Sequence, residues 1–179
     1  MILSDSELVE MLREPRTRRE GFAVLVKQYS EKLYWKVRRI VLSHEDANDV
    51  LQNVFIKVWS NLQNFQGKSS LSTWLYRIAI NESLDFLRKQ KLADKVSADE
   101  DDSVASRLMS DEYFDGDEVQ ARLQEAVARL PEVQRTVFNL KYFEEMKYSE
   151  MSQILNTSEG ALKASYHLAV KKITEYLHL

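Results

Sequence analysis

The chain has 179 residues, 44% hydrophobic and 30% charged, with a net charge of −3; that length suits one domain or two small ones, and the apolar share is that of a soluble protein with a core. It has no cysteine and three histidines, His44, His167 and His178, which excludes a disulfide framework and leaves too few clustered ligands for a zinc site. The first dozen residues show no basic stretch followed by an apolar one, and no apolar run approaches the ~20 residues of a membrane span, so a cytoplasmic protein without membrane insertion is expected.

Only two prolines, Pro15 and Pro131, and four glycines interrupt the chain, and the apolar spacing is helical nearly throughout. Phe22, Leu25, Val26, Tyr29, Leu33, Val37, Ile40 and Val41 fall on one face of a first helix. Asp46 then precedes Ala47, Val50, Leu51, Val54, Phe55, Val58 and Leu62, which predicts a second amphipathic helix whose acidic first turn suits the helix dipole. Residues 64–70, polar and containing Gly67, are a predicted loop. A third long helix is expected from about Ser72 to Arg88, with Trp74, Leu75, Ile78 and Leu84 among its apolar positions.

The helical pattern fails over residues 91–118, which hold 3 basic and 10 acidic residues. Leu108, Met109, Tyr113 and Phe114 within it are suited to docking locally. Such a segment cannot bury enough apolar area to offset its ordering entropy, so an acidic linker is expected. Residues 1–90 carry 14 basic and 11 acidic residues, and residues 119–179 carry 8 and 7. The negative charge therefore sits in the middle and both ends are slightly positive.

A second helical domain is expected from about Val119, with Leu123, Val127 and Leu130 at spacings of three and four. Pro131 suits a helix's first turn, where its missing N–H costs nothing, and Val133, Val137, Phe138 and Leu140 are predicted core residues. Residues 148–155 form a short helix that Ser149 can cap, with Ile154 and Leu155 inward. Asn156-Thr157 is a turn, and Ser158 caps a longer helix ending in Lys171-Lys172, on which Leu162, Tyr166, Ala169 and Ile173 pack. A short helix, a tight polar turn and a longer helix with a basic end is the sequence form of a helix-turn-helix, which lays its second helix in the DNA major groove. Glu159, Lys163, Ser165, His167 and Lys171 take more exposed positions, and Lys163 and Ser165 lie early enough to reach base edges or phosphates. The same run also fits three helices packing with a solvated charged face.

Two earlier segments carry further candidates. In residues 46–59, Asp49, Gln52 and Asn53 share a face away from the apolar stripe; by spacing alone this is a surface helix, with Phe55 and Trp59 in the core. The loop at residues 65–70 precedes Trp74, Tyr76 and Arg77. A polar loop beside aromatics and cations suits single-stranded DNA, although Trp74 and Tyr76 read alone are packed residues. No nucleophile–base pairing, phosphate-cradling glycine loop or metal cluster is present, so no enzymatic activity and no cofactor are expected.

Together these pieces resemble the sigma-70 family of bacterial RNA polymerase initiation factors, and more closely its small extracytoplasmic-function group. The resemblance covers about residues 22–173. Its most specific parts are residues 46–59, which look like region 2.2, and the run Ser72-Thr73-Trp74-Leu75-Tyr76-Arg77-Ile78-Ala79 with Asn81, Asp85 and Arg88. The resemblance implies an all-α protein of two small helical domains. Residues 1–90 are similar to sigma region 2, residues 91–118 form the acidic linker, and residues 119–179 are similar to the region 4 helix-turn-helix.

The resemblance also implies partners and roles. The partners are core RNA polymerase, through its β′ and β subunits, promoter DNA and an anti-sigma factor. Asp49, Gln52 and Asn53 match the surface that docks on the β′ coiled coil, with Asn53 standing where many members have Glu. Phe65, Lys68 and Ser69 belong to the loop that captures a flipped base of the −10 element. Asn81 lines its pocket, Arg77 and Arg88 meet phosphates, and Trp74 wedges against the duplex edge. Ser158, Glu159, Lys163, Ser165, His167 and Lys171 fall on the −35 recognition helix, which has Ser165, Leu168 and Val170 where relatives often carry Arg. In relatives the linker threads the path of the nascent RNA, where an acidic segment either mimics a nucleic-acid backbone or serves as a solvated spacer. A free-standing helix-turn-helix homodimer and a helical adaptor without DNA are the other classes. Against them stands the joint presence, in the expected order, of loop, Trp-Arg-Asn helix and helix-turn-helix.

Overall fold

The structure, a computed structural model, describes residues 3–94 and 118–178. The elements in order are α1 (Asp5–Arg13), α2 (Arg18–Val41), α3 (His44–Asn61), a 3₁₀ turn (Leu62–Asn64), α4 (Leu71–Asp94), α5 (Glu118–Ala128), α6 (Glu132–Phe138), a π-helical turn (Asn139–Phe143), α7 (Tyr148–Leu155) and α8 (Glu159–Leu177). No strand occurs among the described residues, and the fold is all-α as expected. Two compact units form, one over Met1–Val41 and Glu45–Lys89, the other over Leu42–His44 and Gln90–Leu179. Most of the expected acidic linker, residues 95–117 with Leu108, Met109, Tyr113 and Phe114, lies outside the described residues.

In the first unit the three expected helices are α2, α3 and α4. Their apolar stripes supply the core: Leu25, Leu33, Val37 and Ile40 from α2, Val50, Val54 and Val58 from α3, and Leu71, Leu75 and Ile80 from α4 are all buried. Each such side chain contributes roughly 1.5–3 kcal/mol on leaving water. α4 starts one residue earlier than expected because Ser70 caps it, its Oγ accepting the Thr73 N–H at 3.1 Å.

Helix α1 was not anticipated. Its signal is a capping box: the Glu7 N–H donates to Ser4 Oγ at 3.3 Å, and the Ser4 N–H donates to the Glu7 carboxylate at 2.8 Å. It has nine residues, and its two buried ones, Leu8 and Leu12, stand with Met11 at spacings of three and four. Side chains of α2 hold it. The Tyr29 hydroxyl donates to Asp5, and Gln28 exchanges two hydrogen bonds with the Leu3 backbone, at 3.0 and 2.8 Å. Arg18 donates to the carbonyls of Leu12 and Arg13 at 3.0 and 3.3 Å, closing the C-terminal end. Where the helices cross, a Cβ on Gly21 would stand 2.8 Å from Met11 Cβ, so only glycine permits the approach.

Lys36 is buried, with Nζ 4.2 Å from the centre of the Tyr76 ring. Burial, and then Arg39 and Lys32 nearby, push its ammonium down from 10.5 to about 8. Between those values the unfolded chain holds the proton that the folded chain has lost, so this group makes stability rise with pH. Lys36→Met is therefore expected to raise the melting temperature at pH 7, with the gain shrinking through the window from about 8 to 10.5 and absent above it. Melts at pH 7 and pH 10.5 check this.

In the second unit, Ala126, Val127, Leu130, Phe138, Ala169 and Ile173 form one buried cluster, flanked by Leu123 and Tyr166. Of the residues expected in the core of α6 and its continuation, Val137, Phe138 and Leu140 are buried, but Val133 is 65% exposed. It lies in the first turn of a short helix whose packing is concentrated in its last turn and in the π-helical turn, where residues 136–140 are all buried. Phe138 stacks on Tyr142 and Tyr166 at 5.1 and 5.8 Å. Ser149 does not cap α7: the helix begins at Tyr148, Lys147 takes the cap position, and the Glu150 carboxylate accepts the Lys147 N–H at 3.2 Å. Ser158 caps α8 as expected, its Oγ accepting the Ala161 N–H at 3.3 Å.

Candidate nucleic-acid and polymerase interfaces

On α3 the stripe of Ala47, Val50, Val54 and Val58 is buried, which turns the opposite face outward. Asp49, Gln52 and Asn53 are exposed on that face, at spacings of three and four that make them neighbours. The structure adds Ile56, 57% exposed one turn further on. An isolated isoleucine reads as core, so Ile56 was missed; its signal was a position seven after Asp49, opposite the buried stripe. Phe55 is half-buried and Trp59 is 41% exposed. Both rings meet Phe22 edge-on, at 6.4 and 4.9 Å. Beside Trp59 opens a cavity of about 320 Å³ lined by Arg18, Trp59, Ser60, Leu62 and Gln63.

The 3₁₀ turn that leads from α3 into the loop is held on both sides. Asn61 Nδ2 donates to the Lys57 carbonyl at 2.8 Å and the Phe65 N–H to the Leu62 carbonyl at 3.2 Å. The Phe65 ring packs 5.1 Å from Trp74, tilted by 47°, and both residues are half-buried. This pair closes the base of the loop against the first turn of α4. Gly67 takes a left-handed φ of +71°, Lys68 is exposed and Ser69 is half-buried.

Trp74, Arg77, Asn81 and Arg88 follow one another on α4 at intervals of three, four and seven, which puts them on one helical face. Asn81 is exposed. Arg77 is half-buried, and its Nε is enclosed without a hydrogen-bond partner among the described residues. Arg88 Nη1 pairs with Asp85 Oδ1 at 2.7 Å; an exposed pair of this kind is worth little, so the guanidinium can exchange it for a phosphate. Tyr76 turns the other way, under Lys36, and burial raises its hydroxyl pKa. Lys57 and Glu82 form an ion pair between α3 and α4.

In the second unit α7, the turn and α8 make the helix-turn-helix. Asn156 takes the left-handed conformation, φ 50° and ψ 47°, which Asn tolerates better than other non-glycine residues. Glu159, Lys163, His167 and Lys171 are exposed at four-residue intervals along α8. The Ser158 hydroxyl is committed to its cap. Ser165 is half-buried and lies about 200° around the helix from Lys163, so the structure does not bring it onto that stripe. Tyr148 sits between two cations, Lys141 Nζ at 5.1 Å and Lys163 Nζ at 5.6 Å from its ring centre. Lys171 faces Glu175 at 3.9 Å. Leu168 and Val170 are 46% and 39% exposed.

Residues 25–93 match sigma-70 region 2, and residues 120–173 match sigma-70 region 4. The chain is 32% identical over 157 residues to the ECF RNA polymerase sigma factor SigW of Bacillus subtilis, covering 83% of this chain and 84% of that one. It is 32% identical over 182 residues to the RNA polymerase sigma-H factor of Pseudomonas aeruginosa, covering 97% and 93%. Its fold is similar to that of the sigma factor RpoE in complex with the anti-sigma factor NepR from Bartonella quintana, with a TM-score of 0.72 and 20% identity over 89% of this chain and 98% of that chain. It is also similar to CnrH in complex with the cytosolic domain of CnrY, with a TM-score of 0.65 and 20% identity over 97% and 94%. Among the described residues no helix is long and apolar enough to cross a membrane. The chain belongs to the extracytoplasmic-function group of the sigma-70 family, whose members are non-enzymatic factors for promoter-specific transcription initiation.

Proposed function

We propose that the chain works in the cytoplasm as a dissociable subunit of RNA polymerase, with residues 1–90 docking on the polymerase and capturing unpaired −10 bases. Residues 119–179 read the −35 duplex, and residues 91–118 are the acidic tether between them. Asp49, Gln52 and Asn53 are the candidate contacts to β′, and the exposure of all three on one α3 face supports this. Phe65, Lys68, Ser69, Trp74, Arg77, Asn81 and Arg88 are the candidate −10 residues. The observation that carries this reading is the Phe65–Trp74 pair: it fixes the loop to the start of the helix whose outer face bears Arg77 and the exposed Asn81. A base trapped there would offset an unstacking cost of a few kcal/mol.

On α8, Lys163, His167, Lys171 and Glu159 form the candidate −35 stripe, with Ser158 as its cap and Ser165 set to one side. Lys163, Lys171 and Lys172 are the helix's only lysines and it has no arginine, so its phosphate attraction alone is modest. Tethering through the polymerase supplies the effective concentration. An anti-sigma factor is the expected antagonist, since RpoE, a sigma factor of similar fold, is in complex with the anti-sigma factor NepR.

The test separates the two surfaces. Asn81→Ala is expected to lower open-complex formation about tenfold, the effect of losing ~1.4 kcal/mol, while affinity for core polymerase stays within about twofold. Asp49→Ala with Gln52→Ala is expected to do the reverse. Permanganate footprinting and fluorescence anisotropy with labelled chain read the two quantities, and an equal fall in both for Asn81→Ala would contradict the assignment.

A further inference from the structure

We propose that the corner between α1 and α2 is a second nucleic-acid contact of the first unit. It takes the sugar-phosphate backbone of the unpaired promoter strand beside the captured base. This rests on the −10 reading given above. Residues 13–20 carry four arginines against Glu14 and Glu20. Arg18 is spent on closing α1. Arg13, Arg16 and Arg19 are exposed, and none of the three makes an ion pair or a side-chain hydrogen bond among the described residues. Three unneutralised guanidinium groups on one short segment repel one another, and a polyanion relieves that cost.

The corner adjoins the loop. Arg13 Nη2 lies 3.5 Å from the point at which a Cβ on Gly67 would stand. Helix α1 also packs against the 3₁₀ turn that leads into the loop. A strand passing over Gly67 therefore runs directly onto Arg13, with Arg16 and Arg19 following in sequence. The neighbouring cavity of about 320 Å³, walled by Arg18 and the partly exposed Trp59, has room for a base. An aromatic wall beside cations is how unpaired strands are held, which favours single strand over duplex here. The α1–α2 docking described above thus acquires a functional reading: it presents the arginines at the edge of the loop.

The experiment uses holoenzyme, the chain with core polymerase, and a fluorescent promoter fork whose −10 strand is unpaired. Arg13→Gln, Arg16→Gln and Arg19→Gln combined are expected to weaken binding about tenfold. The slope of log affinity against log salt should fall in magnitude by about 2, as for three lost single-strand phosphate contacts. Trimming the unpaired strand next to the captured base should erase the difference between the chains. Glu14→Gln with Glu20→Gln should move affinity the other way, a few-fold tighter. The variants are expected to melt with the parent chain. Unchanged affinity and salt slope in the triple variant would overturn the inference, as would a loss that persists on the trimmed fork. A loss of binding to an acidic protein partner with fork binding intact would also overturn it. Failure of the unsubstituted holoenzyme to bind the fork would instead remove the −10 reading beneath it.

Discussion

Leu162→Ala is expected to destabilise the second unit by about 2–5 kcal/mol, the range for truncating a fully buried leucine. Leu162 is 1% exposed and sits in the first turns of α8, beside Lys163. Helices α7 and α8 pack on each other, and α7 contributes Met151 and Ile154, also buried. Removing the side chain leaves a void at the join of the helix-turn-helix. In a small unit each kcal/mol lowers the melting temperature by roughly 4–8 °C, so calorimetry should show a large downward shift in the transition of this unit. Duplex recognition proposed for α8 should fail in the same variant, while the polymerase binding proposed for Asp49 and Gln52 should persist. A variant that melts with the parent chain would remove Leu162 from the core.

Gly21→Ala is expected to destabilise the first unit by about 1–3 kcal/mol, the usual cost of overpacking. The sign is informative, because Ala in place of Gly within a helix normally gains up to ~1 kcal/mol. At Gly21 the added Cβ meets Met11 Cβ at 2.8 Å, the Met11 carbonyl carbon at 3.3 Å and the Leu12 amide nitrogen at 3.4 Å. Two of those atoms are backbone and cannot swing away, so α1 must lift from α2. Gly160 is the internal contrast: it too lies in a helix, and beyond its own helix backbone nothing among the described residues stands within 4 Å of its Cβ position. Gly160→Ala should leave stability unchanged or slightly improved. Denaturant melts of the two variants check the pair, and equal shifts would contradict the crossing geometry. Lifting α1 also takes Arg13 away from Gly67, so Gly21→Ala should weaken fork binding by the holoenzyme as well.

The long helices were legible because their apolar stripes repeat over many turns: α2, α3 and α8 follow the stripes of Leu25 to Ile40, Ala47 to Val58 and Leu162 to Ile173. Helix α1 was not, since Leu8, Met11 and Leu12 fill one turn rather than a stripe over many, and its docking depends on Gly21 and on hydrogen bonds from Gln28, Tyr29 and Arg18. Val133 shows a different limit. Its spacing to Val137 is that of a core pair, but burial is set by how far the neighbouring helices reach, and they do not cover the outer turn of α6. Ser149 was misread because a cap depends on where the helix begins, and one residue moved it inside. Among the candidate site residues, Asp49, Gln52 and Asn53 are exposed as their spacing suggested, and Lys68 and Asn81 are exposed as well. Ser165 sits off its stripe, and Arg88 carries an ion pair that only the side-chain geometry reveals. The arginine corner had a visible composition, but its nearness to Gly67 is a tertiary fact.

Co-elution of the purified chain with bacterial core RNA polymerase, at moderate salt and beside the Asp49→Ala, Gln52→Ala variant, tests the subunit assignment most directly. A stable one-to-one complex that the variant fails to form is the expected result. A folded chain that forms no complex with its cognate core, yet binds a palindromic duplex as a free homodimer, would contradict it.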